Sequence, residues 1–229
     1  MRKRSKRLLS LLLLICMVLS MGVPTFAATT PKLSKKTYRF SYASKPYKGD
    51  WRGMKIKGMT LNTEVKNLKS SNKKVAVPSW SNETYKDRGD INDYITVDCL
   101  KKGKTVITGD FYESGKYVRS FKATVRVYKY KNPAKSFKIG KTNFTKKFNA
   151  KPIKDKQAGP HKTMKVNIKA KRGWKLKSIT FDNYAGGKPK KIKNGKKIKT
   201  GDFGGALVAK FYNKKEKRYE DLSLYFWAY

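Results

Sequence analysis

The sequence predicts an all-β protein, two small β-sandwiches in tandem behind an export signal. Three observations predict it. Beyond the signal, apolar residues recur with period 2 and show no helical stripe. The strand-like segments are short and divided by Gly, Asn and Lys turns. A proline-marked break then splits the chain beyond residue 27 into two parts of near-equal length.

The export signal comes first along the chain. Arg2, Lys3, Arg4, Lys6 and Arg7 precede an apolar run from Leu8 to Val23, and Thr25-Phe26-Ala27 places small residues three and one before the expected cleavage point, so residues 1–27 read as a secretory signal peptide. The run is too short for a spanning helix, and no later segment approaches membrane-spanning length. Cys16 follows Ile15 rather than a small residue, so no lipid anchor is expected. The mature chain is therefore expected to be secreted or held at the cell surface, with no integral membrane segment. It keeps one thiol, Cys99, which forms no internal disulfide, so stability must come from apolar burial.

The strands follow in order. Tyr38, Phe40 and Tyr42 alternate with polar residues, as do Val166, Ile168 and Ala170, then Leu207, Ala209 and Phe211, then Leu222, Leu224 and Phe226. The strand-like stretch from Ala123 to Tyr128 ends at Lys131-Asn132-Pro133, and proline restricts the residue before it. The expected units are 28–131 and 132–229, each the size of one small sandwich.

Charge sets the class of partner. The chain carries +41 formally, and the signal accounts for five of those charges. Beyond residue 27 there are 44 Lys against 7 Arg. Arginine is the usual tool for bidentate reading of bases and phosphates, so the lysine excess argues against sequence-specific nucleic-acid recognition and for a diffuse cationic surface. Teichoic acid, an anionic glycan or extracellular DNA are the expected partners. The same lysines also serve solubility. The second unit is the more basic, with 27 basic and 6 acidic residues against 24 and 9 in the first.

Within the first unit, "SSNKKVAV" (Ser70 to Val77), "ITVDCLKKGKTVIT" (Ile95 to Thr108) and "KATVRV" (Lys122 to Val127) follow in order. This order resembles the bacterial immunoglobulin-like group 2 domain of surface and secreted proteins, over about Leu61 to Tyr128. The resemblance implies an Ig-like sandwich, a Gly103 turn and a small core residue at Cys99. Leu68 stands where the family often has tryptophan, and the stretch between Val77 and Ile95 is longer than in the family. In the second unit, "NPAKSFKIG" (Asn132 to Gly140) and "KRGWKLKSITF" (Lys171 to Phe181) are similar by pattern to lysine-rich β domains of secreted Gram-positive proteins.

Four constellations are candidates for function. His161 is the sole histidine, so no second member completes a His-based zinc site or a His-assisted carboxylate pair. Cys99 and His161 could nominally pair as nucleophile and base, but a buried thiol and a solvated loop histidine are the expected states. No catalytic residues are assigned; the chain is read as non-enzymatic, with a hydrolase the distant alternative. The run "KPKKIKNGKKIK" contributes Lys188, Lys190, Lys191, Lys193, Lys196, Lys197 and Lys199 as candidate polyanion contacts, on a hairpin expected about Asn194-Gly195. Edge lysines that block sheet-to-sheet aggregation explain the same run. Tyr225, Trp227 and Tyr229 share one strand face and could stack sugar rings, which makes a carbohydrate-binding module the second functional reading; a strand buried on both faces explains them without a ligand. The loop "KDRGDINDY" is the most acidic stretch of the chain. Its Arg88-Gly89-Asp90 admits an integrin reading, Asp87, Asp90, Asn92 and Asp93 a calcium reading, and a solvated insertion a third. No other cofactor is expected.

Overall fold

The computed structural model describes residues 30–43, 52–81, 93–184, 186 and 188–227. The expected signal peptide lies outside them. Strands β1 (Lys32–Leu33), β3 (Arg52–Lys57), β6 (Tyr94–Cys99) and β5 (Ala76–Ser79) form one sheet, in the order β1-β3-β6-β5. Strands β2 (Thr37–Tyr42), β8 (Lys116–Lys129), β7 (Gly103–Glu113) and β4 (Thr63–Ser70) form its partner, in the order β2-β8-β7-β4. The first extended segment thus divides between the two sheets. β1 pairs antiparallel with β3, whereas β2 runs parallel to β8. Counting strands from the start of the domain, this is the ABED and CFG arrangement of an immunoglobulin-type sandwich, with an added first-strand segment beside G.

The second half repeats the plan. Strands β9 (Ala134–Ile139), β10 (Thr142–Asn143), β12 (Thr163–Ala170) and β15 (Lys197–Lys199) form one sheet in the order β10-β9-β12-β15. The other is β11-β17-β16-β13-β14, from β11 (Ile153–Gln157), β13 (Trp174–Asp182), β14 (Lys190–Lys191), β16 (Gly205–Asn213) and β17 (Arg218–Trp227). Again the opening segment switches sheets, with β11 parallel to the final strand β17. Here the sheet of β9 has no equivalent of β5, and β14 widens the other sheet instead. The protein is all-β, two Ig-like sandwiches in tandem.

Alternation places the cores. Val166 and Ile168 on β12, Leu207, Ala209 and Phe211 on β16, and Leu222, Leu224 and Phe226 on β17 are all buried. The first core takes Ile107 and Phe111 from β7 and Val125 and Val127 from β8. Phe144 and Phe148 enter the second core from a connection with one 3-10 turn, Lys146–Phe148, and Phe137 packs on Phe148 at 4.7 Å. That contribution has no strand periodicity, which is why it is silent in the sequence.

The "SSN" motif has a local cause. The buried Thr105 Oγ1 accepts the Asn72 N–H at 3.0 Å and lies 2.8 Å from Ser70 Oγ, tying the turn before β5 to β7. Gly103 differs from expectation. It opens β7, and its glycine is required by close approach: an added Cβ would lie 2.6 Å from Val75 Cγ2. Val75 is buried and β-branched, so it has little room to turn away. Gly103→Ala is expected to cost about 1–3 kcal/mol in urea unfolding, and a neutral result would show that Val75 repacks freely.

The segment at Lys131-Asn132-Pro133 is a packed joint. Asn132 is buried, its Oδ1 accepts the Ala134 N–H at 2.9 Å, and its Nδ2 donates to Thr145 O and Asn149 Oδ1. Tyr130 Oη donates to Phe148 O at 2.6 Å, so the end of the first half seats a ring in the second core.

Candidate binding surfaces

All seven lysines of the 188–199 run are exposed. The expected hairpin does not form: β14 pairs with β13 and β15 with β12, so the run crosses from one sheet of the second sandwich to the other. The Asn194 side chain decides this. Its Oδ1 accepts the Ile168 N–H at 2.9 Å, its Nδ2 donates to Ile168 O at 2.7 Å, and the Gly195 N–H donates to Val166 O. Ile198 is thereby buried and Ile192 packs against the core, so both isoleucines reach apolar contacts. Because β14 and β15 are the edge strands of their sheets, the lysines lie along one side of the sandwich, across both layers. Among the described residues none of the seven is ion-paired.

On β17 the alternation expected near the C-terminus holds. Leu224 and Phe226 face the core, while Tyr225 is half-buried and Trp227 is 38% exposed on the outer face, so the strand is not buried on both sides. The Tyr225 and Trp227 ring centroids are 6.2 Å apart with planes 17° from parallel. Tyr229 lies outside the described residues.

Of the four candidate calcium ligands, Asp87, Asp90 and Asn92 lie outside the described residues, as does Arg88-Gly89-Asp90. Asp93 is paired to Lys55 at 3.0 Å. No group of three His, Cys, Asp or Glu suited to a metal occurs among the described residues. Cys99 is half-buried at the end of β6, where its thiol reaches Val97 O at 3.8 Å. His161 sits on an exposed turn of the other sandwich, 2.7 Å from Asp202 Oδ1.

Where the sandwiches meet, a cleft of about 710 Å³ lies between β2 and β3 on one side and β17 on the other. Its rim carries Lys35, Arg39, Arg52, Lys55, Lys210 and Lys217. Its floor is a network that the sequence reading missed. The Arg218 side chain is fully buried, donates to Glu220 and, at 2.6 Å, to Glu216, and its guanidinium lies 5.3 Å from the Tyr128 ring and 5.1 Å from the Trp174 ring. Ser41 Oγ, from the first sandwich, donates to Glu220 Oε1 at 2.9 Å. Burial pushes the Glu220 carboxyl up, opposed by Arg218, Ser41 and Arg52. A signal for this pair did exist: Arg218 and Glu220 share strand parity with Leu222, Leu224 and Phe226, so both are charged groups on a core face.

No family model and no curated protein sequence matches the chain. Among solved structures, the tandem Ig repeats of Dlar share 11% identity over 87% of this chain and 97% of that one, at a TM-score of 0.40. The fibronectin(III)-like modules of Clostridium thermocellum CbhA share 12% over 86% and 93%, at 0.29. Domains 4–9 of the surface layer protein SbsC share 16% over 86% of this chain and 31% of that one, at 0.31. With these scores all below 0.5, the fold assignment rests on the strand order. The class so defined is a tandem Ig-like β-sandwich protein.

Proposed function

We propose that the chain is an exported, non-enzymatic binding or structural module of the bacterial Ig-like group 2 kind, retained by charge on anionic wall or extracellular polymers. The observation that carries this reading is the run of seven exposed lysines along one side of the second sandwich, none of them ion-paired among the described residues. Like charges so placed repel one another, and a polyanion relieves that repulsion while releasing its own counterions. A lysine surface of this kind holds polymers by density of charge rather than by sequence.

The test is a salt titration. Binding to duplex DNA, and in parallel to poly(glycerol phosphate), is measured between 50 and 200 mM salt. If most of the seven lysines take part, affinity for DNA falls about a thousandfold across that interval. The quadruple variant K190Q/K191Q/K197Q/K199Q is expected to reduce the slope of log affinity against log salt by about 4. A slope that stays flat, or that the variant leaves intact, removes the lysine edge as the contact and leaves it as protection against edge-to-edge pairing.

A further inference from the structure

Beside the lysine edge, the outer face of the five-stranded sheet carries a surface of different chemistry. Strand register sets Asp155, Tyr225, Ala206 and Asp182 in one row across β11, β17, β16 and β13, with their side chains on the same face. Trp227 stands two residues along β17 from Tyr225, with nearly parallel ring planes. Tyr184, just beyond β13, brings a third ring to 6.4 Å from Trp227. The small side chain of Ala206 keeps the middle of the row low. Trp227 Nε1 donates to Asp155 Oδ1 at 3.3 Å, and the Tyr184 backbone N–H to Asp182 Oδ1 at 3.3 Å, so both carboxylates are anchored at the margin of the aromatic patch.

We propose that Tyr184, Tyr225 and Trp227 form a stacking platform for a neutral glycan, with Asp155 and Asp182 accepting hydrogen bonds from its hydroxyl or amide groups. The C–H faces of a pyranose are apolar and weakly positive, and they complement the negative face of an aromatic ring. Carboxylates at the margin are acceptors only, which suits hydroxyl and amide donors and opposes an anionic sugar. The row contains two acids and no cation, in a chain whose net charge is +41. The platform therefore selects against the polymers that the lysine edge attracts. It goes beyond the charge reading and stands or falls independently of it.

The experiment is a calorimetric and tryptophan-fluorescence titration with two neutral probes, cellohexaose and the hexamer of N-acetylglucosamine, at 50 and 500 mM salt. The wild type is expected to bind at least one of them, with a Kd that changes less than about twofold between the two salts because no counterions are released. Trp227→Ala and Tyr225→Ala are each expected to weaken binding about tenfold or more, while Trp227→Phe retains part of it. The quadruple lysine variant is expected to bind the neutral probes as the wild type does. Circular dichroism confirms that each variant is folded. Failure of the wild type to bind either hexamer, loss of binding at high salt, or unchanged binding by folded Trp227→Ala would each overturn the platform. DNA binding by the same preparation reports separately on the lysine edge.

Discussion

Arg218→Ala is expected to destabilise the protein by about 3–5 kcal/mol, because it removes one partner of a fully buried ion pair and strands the other. Glu220 is left buried against Ser41, with its nearest counter-charge gone. The Tyr128 and Trp174 rings, one from each sandwich, lose the guanidinium between them. For a domain of this size the midpoint of thermal unfolding should drop on the order of 10–20 °C. The deficit should also depend on pH. Burial holds the Glu220 carboxyl above its ordinary value of 4.5, so the stability it lends is complete below about pH 4.5 and is lost as pH rises through the raised value. Removing Arg218 takes away a charge that lowers this pKa, so the raised value climbs further. The deficit of the variant should then be larger at pH 7 than at pH 4. Urea unfolding at the two pH values measures it. A deficit under about 1 kcal/mol, or one equal at both pH values, would show that solvent reaches the pair.

Phe137→Ala should cost a comparable amount, about 3–5 kcal/mol, by a different cause. Phe137 is fully buried on β9, and its ring packs on that of Phe148, which comes from the 3-10 turn between β10 and β11. Truncation leaves a cavity that a sheet on one side and a pinned connection on the other cannot close. The connection is pinned because Phe148 O accepts the Tyr130 hydroxyl and Thr145 O accepts the Asn132 amide. The loss should therefore also loosen the joint. Amide exchange at Ala134, whose N–H is held by Asn132, is expected to speed up in the variant relative to wild type. Wild-type exchange at Ala134 alongside a full stability loss would mean that the joint does not depend on this core.

Much of the fold can be read directly along the chain, and the reason is parity. Tyr38, Val125 with Val127, Val166 with Ile168, and Leu222, Leu224 and Phe226 lie on core faces because a pleated strand sends successive side chains to opposite sides. The same rule separated Tyr225 and Trp227 from Leu224 and Phe226. It failed at the lysine run. There the Asn-Gly signal predicts a hairpin, whereas Asn194 bonds the run to β12 and sends its two ends to different sheets. A turn signal reports local backbone preference and is blind to which strand the next segment will meet.

The all-β class, the inward faces of the strands, the excess of lysine over arginine and the single histidine are legible in the chain alone. Each of these is a property of composition or of short-range alternation. The tertiary structure alone decided that the opening segment of each sandwich divides between two sheets, and that seven lysines lie along one side of the second. It also decided that Arg218 and Glu220 close the joint with Ser41, and that Asp155, Asp182, Tyr184 and Trp227 meet on one face. Those groups are distant in the chain and are brought together by strand pairing, whose partners depend on register and on how two sheets bury their apolar faces against each other.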